Sequence, residues 1–94
     1  MVQCNLYERA VEVFGKEHQL YVTIEEMAEA IAKIAQYNNR GRDVEKEMVE
    51  ELADVCIMME QMKVIYGDKL IAAVYTKLGK LEKHVERGEN GRDS

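Results

Sequence analysis

Two short acidic runs carry the residues best able to do chemistry: Glu25-Glu26-Met27-Ala28-Glu29 and Glu50-Glu51-Leu52-Ala53-Asp54. Each holds an i, i+3 carboxylate pair, Glu26 with Glu29 and Glu51 with Asp54. On a helix such residues are neighbours on one face, and like charges there destabilise it by roughly a few tenths of a kcal/mol. A chain that does this twice points to a cation held between two helices. Four carboxylates offer oxygen-only ligands, which suit Mg²⁺ or Mn²⁺ rather than zinc. Mg²⁺ keeps several waters and commonly takes a few carboxylates together with substrate phosphates, so a phosphate-bearing substrate is the matching partner.

The two pairs differ in their surroundings. At about 100° per residue, Glu26 and Glu29 lie opposite the apolar stripe Leu20, Ile24, Met27, Ile31 and Ile34. Taken alone they read as an ordinary solvated face. Glu51 instead falls between Leu52, Val55, Met58 and Met62, inside an apolar sector, with Asp54 at its edge. A carboxylate there must be metal-bound, protonated or paired, because burying it alone is costly. A buried salt bridge with Lys or Arg remains the other way to satisfy it. Glu25 and Glu50 either orient water beside such a site or are surface glutamates. Glu25 and Glu29 are the candidates for a general base.

A second constellation follows. Lys77, Lys80, His84 and Arg87 form a basic stripe spaced by three and four residues. It reads either as a solvated edge near a helix C-terminus or as a clamp on triphosphate oxygens. Arg40 and Arg42 are further candidates for that clamp. There is no Gly-rich phosphate loop, and no Ser/His/Asp or Cys/His arrangement.

These groups need helices to position them. Leu6, Ala10, Val13 and Phe14 predict a helix over about 3–14, broken at Gly15. The stripe from Leu20 to Ile34 predicts a long second helix over about 16–38. A capping box at Thr23 and Glu26 is the competing start. Tyr37 to Arg42 reads as a loop, and Asp43 as the cap of a third helix reaching Tyr66. Met48, Leu52, Val55, Met59 and Met62 run along one side of that helix. Gly67 ends it and Asp68 caps a fourth. The fourth helix spaces Ile71, Val74, Leu78, Leu81 and Val85 as a heptad seam. Residues 88–94 read as a disordered tail behind a single helical domain over 1–87.

Composition sets the remaining bounds. The 94 residues are 47% hydrophobic and 33% charged, with no proline, which fits one all-α domain. So short a chain buries a modest core, so oligomerisation is the expected supplement. The net charge of −5 argues against a broad nucleic-acid surface. Cys4 and Cys56 form no metal-binding spacing, and Cys56 is expected in the core. No apolar leader or membrane span is visible, so a cytoplasmic protein without a membrane partner is the expectation.

The stretch from Glu17 to Glu29, with its Glu25-Glu26-Met27-Ala28-Glu29 run, resembles the first half of the MazG-type motif, EExxE. The in-register Glu51-Leu52-Ala53-Asp54 resembles its second half, ExxD, and Lys77-Leu78-Gly79-Lys80-Leu81 resembles the basic segment that follows. The resemblance covers roughly residues 15–87. It implies a four-helix MazG-like bundle that assembles as a homodimer or homotetramer. It also implies a Mg²⁺-dependent nucleoside triphosphate pyrophosphohydrolase, cutting between the α- and β-phosphates. Carried over by position, Glu26, Glu29, Glu51 and Asp54 would ligate the metal. Lys77 and Lys80 would contact the phosphates, while His84 and Arg87 are substrate-binding candidates by their place in the basic stripe alone. Related enzymes often place a tryptophan near the base. This chain has none, leaving Phe14, Tyr21 and Tyr37 for stacking or for plain packing. The alternative from another class is a non-catalytic helical dimerisation or nucleotide-sensing module.

Overall fold

The computed structural model describes the backbone of residues 2–93 and the side chains of residues 6–41 and 43–91. Four helices account for nearly all of it: α1 (Val2–Phe14), α2 (Lys16–Arg40), α3 (Glu45–Tyr66) and α4 (Asp68–Asp93). No strand occurs among the described residues. The long second helix is the correct reading, with Thr23 inside it. Its hydroxyl donates back to the Gln19 carbonyl at 2.7 Å instead of capping a helix start.

The loop expected over Tyr37 to Arg42 is largely helical. α2 runs on to Arg40 and stops at Gly41, whose φ of 67° breaks the helix while its N–H still reaches the Tyr37 carbonyl. A 3-10 turn over Gly41–Val44 then leads into α3. Asp43 lies within that turn and does not cap α3; the N-cap position falls to Val44, without a side-chain bond. Burial explains the choice, because Val44 is, with Ala30, Met58 and Met62, one of the buried apolar residues among those described. Gly67 ends α3 as expected, its N–H bonded to the Lys63 carbonyl.

α2 and α3 form the main packed pair and run antiparallel. Their register is fixed by three polar pairs, each one heptad from the next on both helices. Lys33 Nζ meets Glu47 Oε2 at 3.0 Å. Glu26 faces Asp54 within 4.8 Å. Gln19 Nε2 donates to Gln61 Oε1 at 2.6 Å. Between these rungs Thr23, Ala30, Met58 and Met62 close the seam. α1 packs across α3 and, less extensively, α2. Phe14 stacks on His18 at 5.6 Å, and Lys16 lies 5.3 Å from the Tyr66 ring centroid, which places the end of α3 beside the start of α2.

The expected apolar stripe of α2 does not enter this core. Leu20 is half-buried, but Ile24, Met27, Ile31 and Ile34 are all exposed, Ile24 and Ile31 by 63% and 67%. The helix turns its polar rung residues and small side chains toward α3 instead. The α4 seam is likewise open: Ile71, Val74, Leu78, Leu81 and Val85 are 43–53% exposed. Among the described residues α4 packs only against α3. It continues as helix through Gly88 and Gly91 to Asp93, where the sequence predicts a disordered tail. Ser94 lies outside the described residues. Cys56, expected in the core, is exposed because α3 turns that face to solvent. The radius of gyration is 16.9 Å, against about 12 Å for a compact chain of this length. The accessible surface is 7727 Å², against about 5,500 Å² for a compact 10.8 kDa monomer.

Candidate metal centre

The middle rung of the α2–α3 seam is the candidate site. The antiparallel register brings Glu26 on α2 against Glu51 and Asp54 on α3. One carboxylate oxygen from each lies within 4.8 Å of the other two. Oε2 of Glu26 and Oε2 of Glu51 are buried and have no hydrogen-bond partner. No described Lys or Arg is paired with the cluster. The ion pairs among the described residues are Lys33 with Glu47, one heptad away, and Lys63 with Glu60. The buried salt bridge that would have explained Glu51 is therefore not formed.

The electrostatics follow from that geometry. Burial, then the charges of Glu29, Asp54 and Glu25, raise the Glu26 carboxyl above its ordinary value. Burial comes first for Glu51 too, followed by the approach of the Glu29 carboxyl and by the charges of Asp54 and Glu26. Acid upon acid with no cation between them opposes ionisation in both residues. An oxygen-rich set with two orphaned buried acceptors fits a hard divalent ion, which would supply the missing positive charge.

The other expected residues are placed less uniformly. Glu29 is exposed and stands outside the triad, yet close enough to perturb Glu51. Glu25 is exposed, and its charge bears on Glu26. Glu50 is exposed. Lys77, Lys80, His84 and Arg87 are all exposed on α4, which makes no contact with α2. Within one chain, then, the basic stripe and the Glu26 side of the site are not brought together. Arg40 is exposed, and the Arg42 side chain lies outside the described residues. Sequence reasoning missed the flanking rungs, Gln19–Gln61 and Lys33–Glu47. The signal was present as polar residues one heptad either side of Glu26 and of Asp54.

No family model matches the chain, and neither does any curated protein or solved structure.

Proposed function

We propose that the chain is a Mg²⁺-dependent nucleoside triphosphate pyrophosphohydrolase of the MazG-like kind, converting a (d)NTP to the monophosphate and pyrophosphate. The observation that carries this reading is the pair of buried carboxylate oxygens without hydrogen-bond partners on Glu26 and Glu51, facing Asp54 with no described Lys or Arg paired to them. Glu26, Glu51 and Asp54 would hold Mg²⁺ or Mn²⁺, with Glu29 at the edge of the set. The ion supplies positive charge for the phosphate oxygens and makes water a better acid. Glu25 and Glu29, exposed beside the triad, are the candidates to accept the proton of the attacking water. Lys77, Lys80, His84 and Arg87 would neutralise the departing pyrophosphate.

A second reading is a non-catalytic helical module that dimerises or senses nucleotide. It draws on the separation of α4 from α2 and on the exposed apolar seams. A screen of nucleoside triphosphates with Mg²⁺, assayed for pyrophosphate and monophosphate, separates the two. The enzyme releases both products from at least one nucleotide. Glu51→Gln abolishes that release with the circular dichroism spectrum unchanged. If every nucleotide stays intact, the module is the better account; a fully active Glu51→Gln protein sinks the metal assignment.

A further inference from the structure

The apolar seam of α2 is one wall of a groove. At about 100° per residue, Leu20, Ile24, Met27 and Ile31 stand about a third of a turn from the rung residues Gln19, Glu26 and Lys33. On α3, Met48, Leu52, Val55 and Met59 stand about a third of a turn from Glu47, Asp54 and Gln61, in the same sense. In an antiparallel pair equal rotations come out on the same side, so the two apolar rows flank one groove. α1 packs on the other side, where Leu6 and Ala10 share a cavity wall with Ile57. We propose that α4 of the same chain is the occupant: a strap, hinged at Gly67, that closes into this groove.

Two rulers set the register. The α2–α3 rungs bring Gln19 level with Gln61, Glu26 with Asp54 and Lys33 with Glu47. On that ladder Leu20, Ile24, Met27 and Ile31 lie level, to within one residue, with Met59, Val55, Leu52 and Met48. The α3–α4 connection is the second ruler. Gly67 alone separates the helices, so an α4 folded back along α3 starts with Asp68 level with Tyr66. Val74 then arrives level with Glu60, Leu78 with Cys56, Leu81 with Ala53 and Val85 with Val49. Each lands in a layer that α2 and α3 already form. Val74 joins Leu20 and Met59, and Leu78 joins Ile24 and Val55. Leu81 joins Met27 and Leu52, and Val85 joins Ile31 and Met48. The apolar steps alone also fit one heptad along; the tether removes that choice. Length agrees as well, since Asp93, the end of α4, falls level with Asn39, one residue before the end of α2.

The tether also makes the occupant this α4 and not a separate helix. One residue joins the groove to the strap, so the effective concentration of α4 there exceeds that of any free chain at ordinary dilution. Gly67 is suited to the hinge: at φ 54° and ψ −129° it has no Cβ to restrict the backbone, and open space surrounds it. Asp68 is of the type that caps a helix start, so α4 can begin afresh after a wider turn.

In this structure the strap stands open. α4 meets α3 near the hinge, where Lys63 borders Leu70 and Ile71, and Val74, Leu78, Leu81 and Val85 are left about half exposed. Closure covers that row and the α2 row together, and so removes an apolar patch larger than soluble monomers commonly show. Glu25 and Glu29 stand on the α1 side of α2, so the acid cluster stays open to solvent with the strap shut. The closure does not depend on the proposed reaction.

Disulfide trapping within one chain tests the closure, in a Cys4→Ser, Cys56→Ser background. Met27→Cys with Leu81→Cys should form an internal disulfide on mild oxidation by a low-molecular-weight disulfide, the product keeping monomer mass on a non-reducing gel. Met27→Cys with Val74→Cys, one heptad out of register, should stay reduced. When tagged and untagged copies of the first variant are mixed, no tagged–untagged species should appear. Small-angle scattering of the wild-type chain should give a radius of gyration clearly below the 16.9 Å of the open arm, unchanged on dilution. An unreacted first pair, faster trapping of the out-of-register pair, cross-links that join two copies, or a wild-type radius of 16.9 Å or more would each overturn the proposal. Any of these leaves the metal triad standing, whereas a closed chain that hydrolyses nothing overturns the reaction alone.

Discussion

Replacing Glu51 by Gln keeps the outline of the side chain and removes a charge that no described Lys or Arg pairs with. Glu26 and Glu51 hold their protons more tightly in the folded chain than in the unfolded one, because both are raised above the ordinary carboxylate value. Between that value and the raised one, the folded state binds more protons. The stability this confers is complete below the window and is lost as pH rises through it. Metal-free wild type should therefore lose Tm over that rise more steeply than Glu51→Gln, and the variant should melt higher at neutral pH. Thermal melts in chelator across a pH series check this; parallel curves for the two proteins would mean that Glu51 is freely solvated. Mg²⁺ needs the ionised carboxylates, so its affinity climbs over the same rise.

At the scale of the helices, the three rungs between α2 and α3 hold the acids in register. Gln19 and Gln61 are buried and bonded to each other, and Gln61 also donates to the Met58 sulfur. Gln19→Ala leaves the Gln61 amide short of a partner and should cost about 1–3 kcal/mol in urea unfolding. Replacing both by Leu should recover much of that loss, since no orphaned amide then remains. Two glycines make opposite predictions. Gly67 has φ 54° and ψ −129°, a conformation that L side chains rarely adopt. Gly67→Ala should destabilise by about 1–3 kcal/mol. Gly79 is helical with open space around an added Cβ, so Gly79→Ala should stabilise α4 by up to about 1 kcal/mol, read as helical content.

Helix number, the span of α2 and the stop at Gly67 were legible in the sequence because they depend on local periodicity and on one glycine. The α2 face that packs inward was not. Hydrophobic patterning assigns Leu20 to Ile34 to the core, which holds only if a partner for that face exists within the chain. Among the described residues most of that face finds no partner, and Glu26 joins the packed seam while Ile24 and Ile31 remain open. Glu51 was legible because it interrupts an apolar sector of its own helix. Glu26 was legible as half of a like-charged i, i+3 pair and through resemblance, but its burial was not, since that depends on α3 arriving in the right register. The cap at Asp43 failed for a similar reason: burial of Val44 outweighed a local hydrogen bond.

For the whole molecule, the long arm of α4 and the large accessible surface leave much apolar surface open among the described residues. The acid triad, by contrast, is brought together within one chain and can be tested on it directly. The most direct measurement is the Tm of wild type and of Glu51→Gln at neutral pH as Mg²⁺ is titrated to saturation. A ligand bound only by the folded state raises stability by mass action, by about 2.7 kcal/mol at one hundred times Kd. The account predicts a rising Tm for wild type and a flat one for Glu51→Gln. A wild-type Tm unmoved by saturating Mg²⁺ and Mn²⁺, or an equal rise in both proteins, would contradict it.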